Sequence, residues 1–262
     1  MSGSLDTATR FTRRRFGVMA GGAFAAFAFG DACRLESQPS QANDGRLTAR
    51  PRASVTTSTS RERALGLDRG RDAILQLPTD ATSAPLPLLV LFHGAGGSGE
   101  GVLRRLGQSA GDAGVAVLAP DSRGSTWDAA RYGFGPDVTF VDRALEGVFD
   151  IVSVDPARIA VAGFSDGATY ALSLGLINGD LFSRVVAFSP GFVVDGPPHG
   201  KPRFFISHGT TDRILPIDYS SRLIVPALRR RGYDVTFREF GGGHEVPAAI
   251  ARESMVWLAE TK

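Results

Sequence analysis

The sequence predicts an α/β fold in which helices cover both faces of a mostly parallel central sheet. Three observations support this prediction: short apolar runs recur along the chain, segments of helical length separate them, and no internal repeat or second domain boundary interrupts residues 61–262. Because parallel strands need long crossover connections, such alternation indicates crossover helices. In sheets of this kind, reactive groups collect just beyond the carboxyl ends of the strands.

Short apolar or alternating runs are the predicted strands. They are Asp72–Leu77, Leu86–Phe92, Val115–Ala119, Arg158–Ala162, Arg184–Phe188, Arg203–Ser207 and Val235–Phe240. The predicted helices lie between them, at Gly101–Ala113, Val138–Ile151, Gly167–Ile177, Tyr219–Arg231 and Glu245–Glu260. The run Leu86–Phe92 is apolar throughout, which is typical of a strand that is buried on both faces.

Composition limits the partners of this chain. The 29 Lys and Arg residues nearly balance 27 Asp and Glu residues, and much of the basic excess precedes residue 72, so no nucleic-acid partner is expected. A single cysteine, Cys33, cannot form an internal disulfide. Four scattered histidines without a cysteine pair do not predict a structural zinc site, and we expect no metal.

Residues 1–33 resemble an export signal. Three arginines at 13–15 precede an uncharged stretch from Phe16 to Gly30, which is the order of the charged and apolar regions of a signal peptide. Arg13-Arg14 followed by Phe16 resembles the twin-arginine type. The stretch is too short for a typical membrane-spanning helix, which needs about 20 residues. The alternative is a basic, disordered terminus beside an isolated apolar patch.

The end of the signal is open between two sites. Ala26-Phe27-Ala28 offers small residues for a signal peptidase, whereas the residues before Cys33 loosely resemble a lipoprotein box. The predicted location is therefore outside the cytoplasmic membrane, as a periplasmic, secreted or lipid-anchored protein. Residues 34–60 are mostly small and polar, which predicts a flexible linker before a catalytic domain at 61–262.

The segment Gly163-Phe164-Ser165-Asp166-Gly167 predicts a nucleophilic serine at Ser165. A predicted strand comes directly before it and a helical pattern directly after it, which is the strand, sharp turn and helix of a nucleophile elbow. Glycines two positions on either side of the serine allow strand and helix to approach each other without side-chain collision. The helix N-terminus beneath the serine favours negative charge that develops there.

The glycine-rich segment His93–Gly97, which follows a predicted strand, predicts an oxyanion loop. Backbone N–H groups suit this role because they are fixed donors that need no reorganisation. We assign the donors to the N–H of Ala95 and the N–H of Asp166. His93 is expected to brace the loop by hydrogen bonding, and the Asp166 carboxylate to turn toward solvent or a partner.

A serine hydroxyl needs a base, and His244 is the predicted one. It lies between the last predicted strand and the last helix, which agrees with the chain order serine, acid, histidine. Asp212, just past the strand Arg203–Ser207, is the predicted acid that holds the far nitrogen of His244. Asp218 is an alternative acid, although it begins a predicted helix and could serve as an N-cap.

Together these motifs resemble the α/β-hydrolase superfamily, and within it small bacterial esterases of the carboxylesterase/phospholipase and polyhydroxybutyrate-depolymerase-like groups. The resemblance covers about residue 72 to the end. It rests on Leu91–Gly94, Pro120–Gly124 with Thr126–Asp128, Asp155–Arg158 before the serine motif, His208–Asp212, and Gly242–His244. It implies the α/β-hydrolase fold and ester hydrolysis through an acyl-enzyme, without metal or cofactor. Asp166 occupies a position where many members of these groups carry Gln, Met or Asn.

The expected function is therefore that of an exported serine hydrolase that cleaves a small-molecule carboxylic ester. Trp127 and Tyr132 are candidates for an acyl or aryl pocket, with ordinary loop packing as the alternative. An acyltransferase, thioesterase or peptidase would use the same triad, and a non-catalytic cell-envelope binding protein would keep the same fold. Membrane contact is expected only through a lipid anchor at Cys33. The natural ester and the oligomeric state stay open.

Overall fold

The predicted apolar runs form one eight-stranded sheet in the computed structural model of the chain. The structure describes residues 44–52, 61–79, 84–131 and 133–260. The strands are β1 Glu62–Ala64, β2 Ala73–Gln76, β3 Leu86–Phe92, β4 Ala116–Pro120, β5 Val154–Phe164, β6 Arg184–Phe188, β7 Arg203–Gly209 and β8 Val235–Phe240. The helices are α1 Gly99–Val102, α2 Gln108–Asp112, α3 Pro136–Ile151, α4 Asp166–Ile177, α5 Ser221–Arg230 and α6 Ala248–Ala259.

The sheet is mostly parallel, as predicted. Its strand order is β1-β2-β4-β3-β5-β6-β7-β8. The β1–β2 and β2–β4 pairs are antiparallel, and every other neighbouring pair is parallel. The predicted α/β fold is therefore confirmed, with the antiparallel pairing confined to one end of the sheet.

Side chains of alternate residues in β3 point to opposite faces of the sheet, and each face is covered by helices. Leu88, Val90 and Phe92 pack into a core with α3, α4 and α5. Leu89 and Leu91 pack into a second core with α1, α2 and α6. This alternation explains why the run is apolar throughout: both of its faces are buried.

The strands β3, β5, β6, β7 and β8 run in the same direction and end at the same edge of the sheet. The register pairs Phe92 with Gly163 and Phe164 with Phe188. On the other side of β6, Phe188 pairs with Ser207. The residues that follow these strands therefore meet at one place, which is where the sequence predicts the reactive groups.

Residues 44–52 correct the predicted linker. This segment, which we call the N-terminal strap, lies against α3 and α4: Leu47 is 1% exposed and its N–H donates to Asn178 Oδ1 at 2.9 Å. Arg46 donates to the carbonyl of Ile177 and pairs with Asp180. The prediction of a flexible linker over residues 34–60 is wrong for the strap because its polar residues find partners far along the chain.

Other predictions for the N-terminal region fall on residues that the structure does not describe. The predicted export signal at 1–33, Cys33 and the remaining linker residues, 34–43 and 53–60, lie outside the described ranges. Within those ranges, no helix is long and apolar enough to cross a membrane.

Two elements differ from the prediction for identifiable reasons. The strand β1 consists of three exposed residues, so no apolar pattern in the sequence predicts it. The predicted helix Gly101–Ala113 contains a π-helical segment, Leu103–Gly107, between α1 and α2. A β-carbon at Gly107 would lie 2.7 Å from Gln76 Oε1, so this segment packs closely against β2.

Candidate active site

Ser165 lies at the tip of a strained turn between β5 and α4. Its backbone has φ 58° and ψ −123°, in a region that a non-glycine residue rarely adopts. Its N–H donates to the carbonyl of Phe188 at 2.9 Å, which ties the turn to the end of β6. The side chain is 9% exposed. The predicted strand, sharp turn and helix around the serine are thus present.

The glycines on either side of this turn are required by close backbone contacts. A β-carbon at Gly163 would lie 2.2 Å from the carbonyl oxygen of Gly167. A β-carbon at Gly167 would lie 2.4 Å from the carbonyl oxygen of Phe92, at the end of β3. Both contacts are far shorter than any side chain tolerates. The helix α4 can therefore begin this close to β3 and β5 only with glycine at both positions.

The structure brings Ser165, His244 and Asp212 into one hydrogen-bonded chain. His244 Nε2 lies 2.8 Å from Ser165 Oγ, and His244 Nδ1 lies 2.6 Å from Asp212 Oδ2. Because the carboxylate can only accept, Nδ1 carries the proton and Nε2 is free to accept from the serine hydroxyl. This is the geometry in which a histidine removes a serine proton and a carboxylate orients the ring.

The loop that carries His244 is held against the end of β7. Thr211 donates to the carbonyl of Gly242 through its N–H at 3.0 Å and its hydroxyl at 2.9 Å. A β-carbon at Gly209 would lie 2.2 Å from the carbonyl oxygen of Gly243. The glycine-rich loop after β8 therefore packs backbone to backbone on the loop that carries Asp212, and this contact sets the distance between acid and base.

Asp212 is 5% exposed, yet its environment favours the charged carboxylate. Burial alone would raise its pKa, but the N–H groups of Leu215 and Ile214 donate to Oδ1 at 2.9 and 2.8 Å, and His244 donates to Oδ2. These donors outweigh desolvation and hold the pKa of Asp212 below its usual value. The carboxylate is therefore ionised at neutral pH.

The predicted alternative acid, Asp218, is not part of this chain of hydrogen bonds. It lies in a short 3₁₀ turn at Ile217–Tyr219 and pairs with Arg222 at 2.7 Å on the surface. The partner of Asp218 is therefore a surface arginine, and the structure does not bring Asp218 to His244.

The predicted oxyanion loop lies beside the serine. A β-carbon at Gly94 would lie 3.4 Å from Ser165 Cβ. The N–H of Gly96 donates to the carbonyl of Ser125 at 2.6 Å, and the N–H of Gly97 donates to the carbonyl of Gly94 at 3.0 Å. Within the described ranges, the N–H groups of Ala95 and Asp166 have no protein acceptor. Both are thus available to a ligand.

The comparisons with known proteins agree with this architecture. No protein-family model matches the sequence. Feruloyl esterase C of Emericella nidulans is 28% identical over 158 residues, which cover 57% of each chain. NocK of Nocardia uniformis subsp. tsuyamanensis, named provisionally as an esterase, is 30% identical over 182 residues, or 64% of this chain and 52% of that protein. The match thus spans little more than half of either relative.

Among solved structures, esterase PE8 superposes with a TM-score of 0.58 at 22% identity, over 70% of this chain and 95% of that one. The chain has the α/β-hydrolase fold. Its sheet order, its elbow between β5 and α4, and the order of serine, acid and histidine agree with that fold.

His93 makes the hydrogen bonds that the sequence predicts for it beside the oxyanion loop. It is 1% exposed, its Nδ1 lies 2.7 Å from the carbonyl of Gly94, and its Nε2 accepts from the N–H of Ser122 at 3.1 Å. Burial lowers its pKa, so the ring is neutral. The histidine therefore joins the oxyanion loop to the loop after β4. The N–H of Asp121, which begins that loop, donates to the carbonyl of Asp72 at 2.8 Å.

The Asp166 carboxylate turns to a partner. Thr126 donates its hydroxyl to Asp166 Oδ2 at 2.6 Å. Asp166 follows Ser165 directly, and its N–H is the predicted second oxyanion donor. The bond to Thr126 gives this carboxylate a fixed partner in the loop after β4.

The pocket prediction for Trp127 is wrong. Its side chain is fully buried, its Nε1 donates to the carbonyl of His93 at 2.8 Å, and its ring stacks on Tyr170 with centroids 4.8 Å apart. Such a residue packs the core beneath the loop and cannot line an open cleft. Tyr132, the other candidate, lies outside the described residues.

A pair of carboxylates to which the sequence assigns no role, Asp128 and Asp137, supports the same loop. Asp128 Oδ2 accepts from the N–H of Asp137 at 2.8 Å, and Asp137 Oδ2 accepts from the N–H of Asp128 at 2.7 Å. Burial, with the neighbouring charge of Asp137, raises the pKa of Asp128 to about 6. The two residues clamp the ends of the loop, and nothing in their spacing of nine positions predicts that contact.

No group of three or more His, Cys, Asp or Glu side chains with metal-binding geometry occurs in the part of the chain that the structure describes. The polar side chains at this site are instead committed to one another and to the backbone.

Proposed function

We propose that this α/β-hydrolase is a serine hydrolase that cleaves a carboxylic ester through an acyl-enzyme intermediate. The observation that carries the proposal is the continuous chain from Ser165 Oγ through His244 to Asp212, with heavy-atom distances of 2.8 and 2.6 Å. Similarity to proteins named as esterases supports the choice of ester. The chemistry needs no group beyond these side chains and water.

In the first half-reaction, Ser165 Oγ attacks the ester carbonyl carbon while His244 Nε2 takes the hydroxyl proton. The carbonyl oxygen becomes an oxyanion. Collapse of this intermediate breaks the bond to the alcohol oxygen, which receives the proton from His244, and the acyl group stays on Ser165. A water molecule then repeats the sequence and releases the acid.

Two backbone donors stabilise the oxyanion in this mechanism. Ala95 N–H comes from the loop after β3, and Asp166 N–H from the first turn of α4. Since both belong to segments held by their own hydrogen bonds, they are oriented before the charge develops. The N-terminus of α4 adds a favourable dipole.

Exposed apolar side chains favour a substrate with an apolar acyl or alcohol group. Phe192, after β6, is 45% exposed, and Ile214, after β7, is 69% exposed with its N–H bound to Asp212. The two loops touch, because a β-carbon at Gly191 would lie 3.5 Å from the Leu215 side chain. Exposed apolar groups beside a reactive centre are typical of a ligand surface.

We further propose that the enzyme acts outside the cytoplasm after export through its twin-arginine-like signal. The support is the sequence of residues 13–30 alone. Mass spectrometry of the mature N-terminus distinguishes cleavage after Ala28 from lipidation at Cys33.

The nucleophile is tested by labelling with a fluorophosphonate probe and by ester turnover. The wild type should be labelled and active, and Ser165→Ala should lose both. Ser183→Ala is the matched control. Ser183 lies just before β6, at the amino ends of the parallel strands and away from the site, and its hydroxyl donates to the carbonyl of Ile159. Equal labelling of wild type and Ser165→Ala would exclude Ser165 as the nucleophile.

A further inference from the structure

A second histidine contacts the triad carboxylate from its buried side. His208 belongs to β7, is 0% exposed, and places its Nε2 3.2 Å from Asp212 Oδ2. The same Nε2 lies 2.7 Å from the carbonyl of Leu215, and Nδ1 lies 2.8 Å from Ser221 Oγ. None of these contacts is used in the mechanism given above.

These partners determine the protonation state of the ring. The carbonyl of Leu215 and the carboxylate of Asp212 can only accept, so Nε2 must carry a proton. Nδ1 then accepts the hydroxyl proton of Ser221. Burial lowers the pKa of His208, which keeps the ring in this neutral form. The Nε2–H of His208 therefore donates to the carbonyl of Leu215 and faces Asp212 Oδ2 at 3.2 Å, with the ring held on its other side by Ser221.

Asp212 Oδ2 consequently serves two histidines. His244 approaches at 2.6 Å from the solvent side and His208 at 3.2 Å from the core, while Oδ1 is occupied by two backbone N–H groups. We propose that His208 is a positioning residue of this site, which fixes the direction of the Asp212 carboxylate and reduces the negative charge that it presents to His244. The inference rests on the proposed serine hydrolase function.

The other charged groups near His208 are already paired. Glu239 of β8 lies opposite His208 in the register, and it is bound to Arg222 of α5 at 2.6 Å. Arg222 also pairs with Asp218 at 2.7 Å. These charges pair with one another on the surface, and the titratable side chains with the largest effect on the pKa of the His208 ring are Asp212 and His244.

The proposal predicts a specific change in His208→Leu, which keeps bulk but loses both ring nitrogens. With one donor removed, Asp212 presents more negative charge to His244, so protonated His244 is stabilised. The acid limb of the kcat/KM profile should move to higher pH by roughly half to one unit. We expect kcat to fall by about tenfold because the N–H that faces the buried carboxylate is lost, with KM unchanged because His208 is buried.

Two further variants separate positioning from packing. His208→Gln retains an N–H donor near the Nε2 position and should restore the acid limb of the wild type. Ser221→Ala disturbs the same buried cluster but leaves the contact between His208 and Asp212, so its pH profile should match the wild type even if its thermal stability falls. A His208→Leu variant that is folded and has the wild-type profile would overturn the proposal.

A measurement on the unmodified protein remains decisive if His208→Leu does not fold. In ¹⁵N NMR spectra of the imidazole rings at neutral pH, His208 should show the neutral form with its proton on Nε2. A protonated His208 ring, or a neutral ring with its proton on Nδ1, contradicts the inference. Failure of the proposed function is recognised separately, because it would appear as no ester turnover and no probe labelling in the wild type.

Discussion

Truncation of Leu47 tests whether the N-terminal strap is part of the folded domain. The side chain is 1% exposed and lies in the larger core cluster, and the backbone N–H is held by Asn178. Replacing a buried leucine by alanine removes transfer free energy and leaves a cavity, which together destabilise proteins by about 2–5 kcal/mol. We expect about 3 kcal/mol for Leu47→Ala, since the strap lies at the edge of the core and its site can partly collapse.

The matched control is Arg52→Ala in the same strap. The Arg52 side chain is 64% exposed and pairs with Asp150 on the surface, so its loss should change the free energy of unfolding by roughly 0.5 kcal/mol or less. Urea unfolding of the full chain, followed by fluorescence of the buried Trp127 and Trp257, measures both variants. For a domain of this size, about 3 kcal/mol corresponds to a fall in Tm of roughly 6–12 °C.

The result that refutes this reasoning is equal stability of Leu47→Ala, Arg52→Ala and wild type, because residues 44–52 would then behave as the flexible linker that composition predicts.

Asn178→Ala tests the contact between the strap and α4 from the opposite side. Its side chain accepts from Leu47 N–H and donates to the carbonyls of Gly45 and Leu174, at 2.9, 2.8 and 3.0 Å. The double variant with Leu47→Ala should be less destabilised than the sum of the two single variants, since both remove the same docking.

Two further predictions concern pH and substrate. Because burial raises the pKa of Asp128 to about 6, the folded protein binds this proton more tightly than the unfolded chain, and the contribution of Asp128 to stability falls as pH rises from about 4 to 6. Asp128→Asn removes this dependence, so in urea titrations its stability relative to wild type should increase between pH 4 and 6.5; parallel curves contradict the assignment. Ile214→Ser should lower kcat/KM for long-chain esters more than for acetate, whereas Val256→Ser, which is equally exposed on α6, should affect neither. Equal profiles for the two variants would exclude Ile214 from the substrate surface.

The sequence predicts the residues that end or follow buried strands better than it predicts their surroundings. Ser165, Asp212 and His244 each follow an apolar or alternating run with a clear boundary, and parallel strands bring such positions to one edge. No comparable sequence pattern predicts the N-terminal strap. Its binding depends on Asn178 and Asp180, more than 130 positions away, so composition alone described it as a linker.

Trp127 shows a different limit. A tryptophan in a long loop rich in glycine can line a cleft or pack inward, and the outcome depends on whether its N–H finds a buried acceptor. Here His93 supplies the acceptor, and Phe92 and Tyr170 supply the aromatic surface at centroid distances of 4.6 and 4.8 Å. These partners come from β3 and α4, and no pattern within the loop itself reveals them.

The structure distinguishes three histidines by the contacts of their rings. His93, His208 and His244 all lie at the carboxyl edge of the sheet, and composition alone does not separate them. The ring nitrogens of His93 face a carbonyl and an amide, and those of His208 face a hydroxyl on one side and a carbonyl and the Asp212 carboxylate on the other. Burial keeps both rings neutral and closed to substrate. Only the ring of His244 faces a carboxylate on one side and Ser165 on the other, so it is the one of these three whose position fits the base of the proposed mechanism.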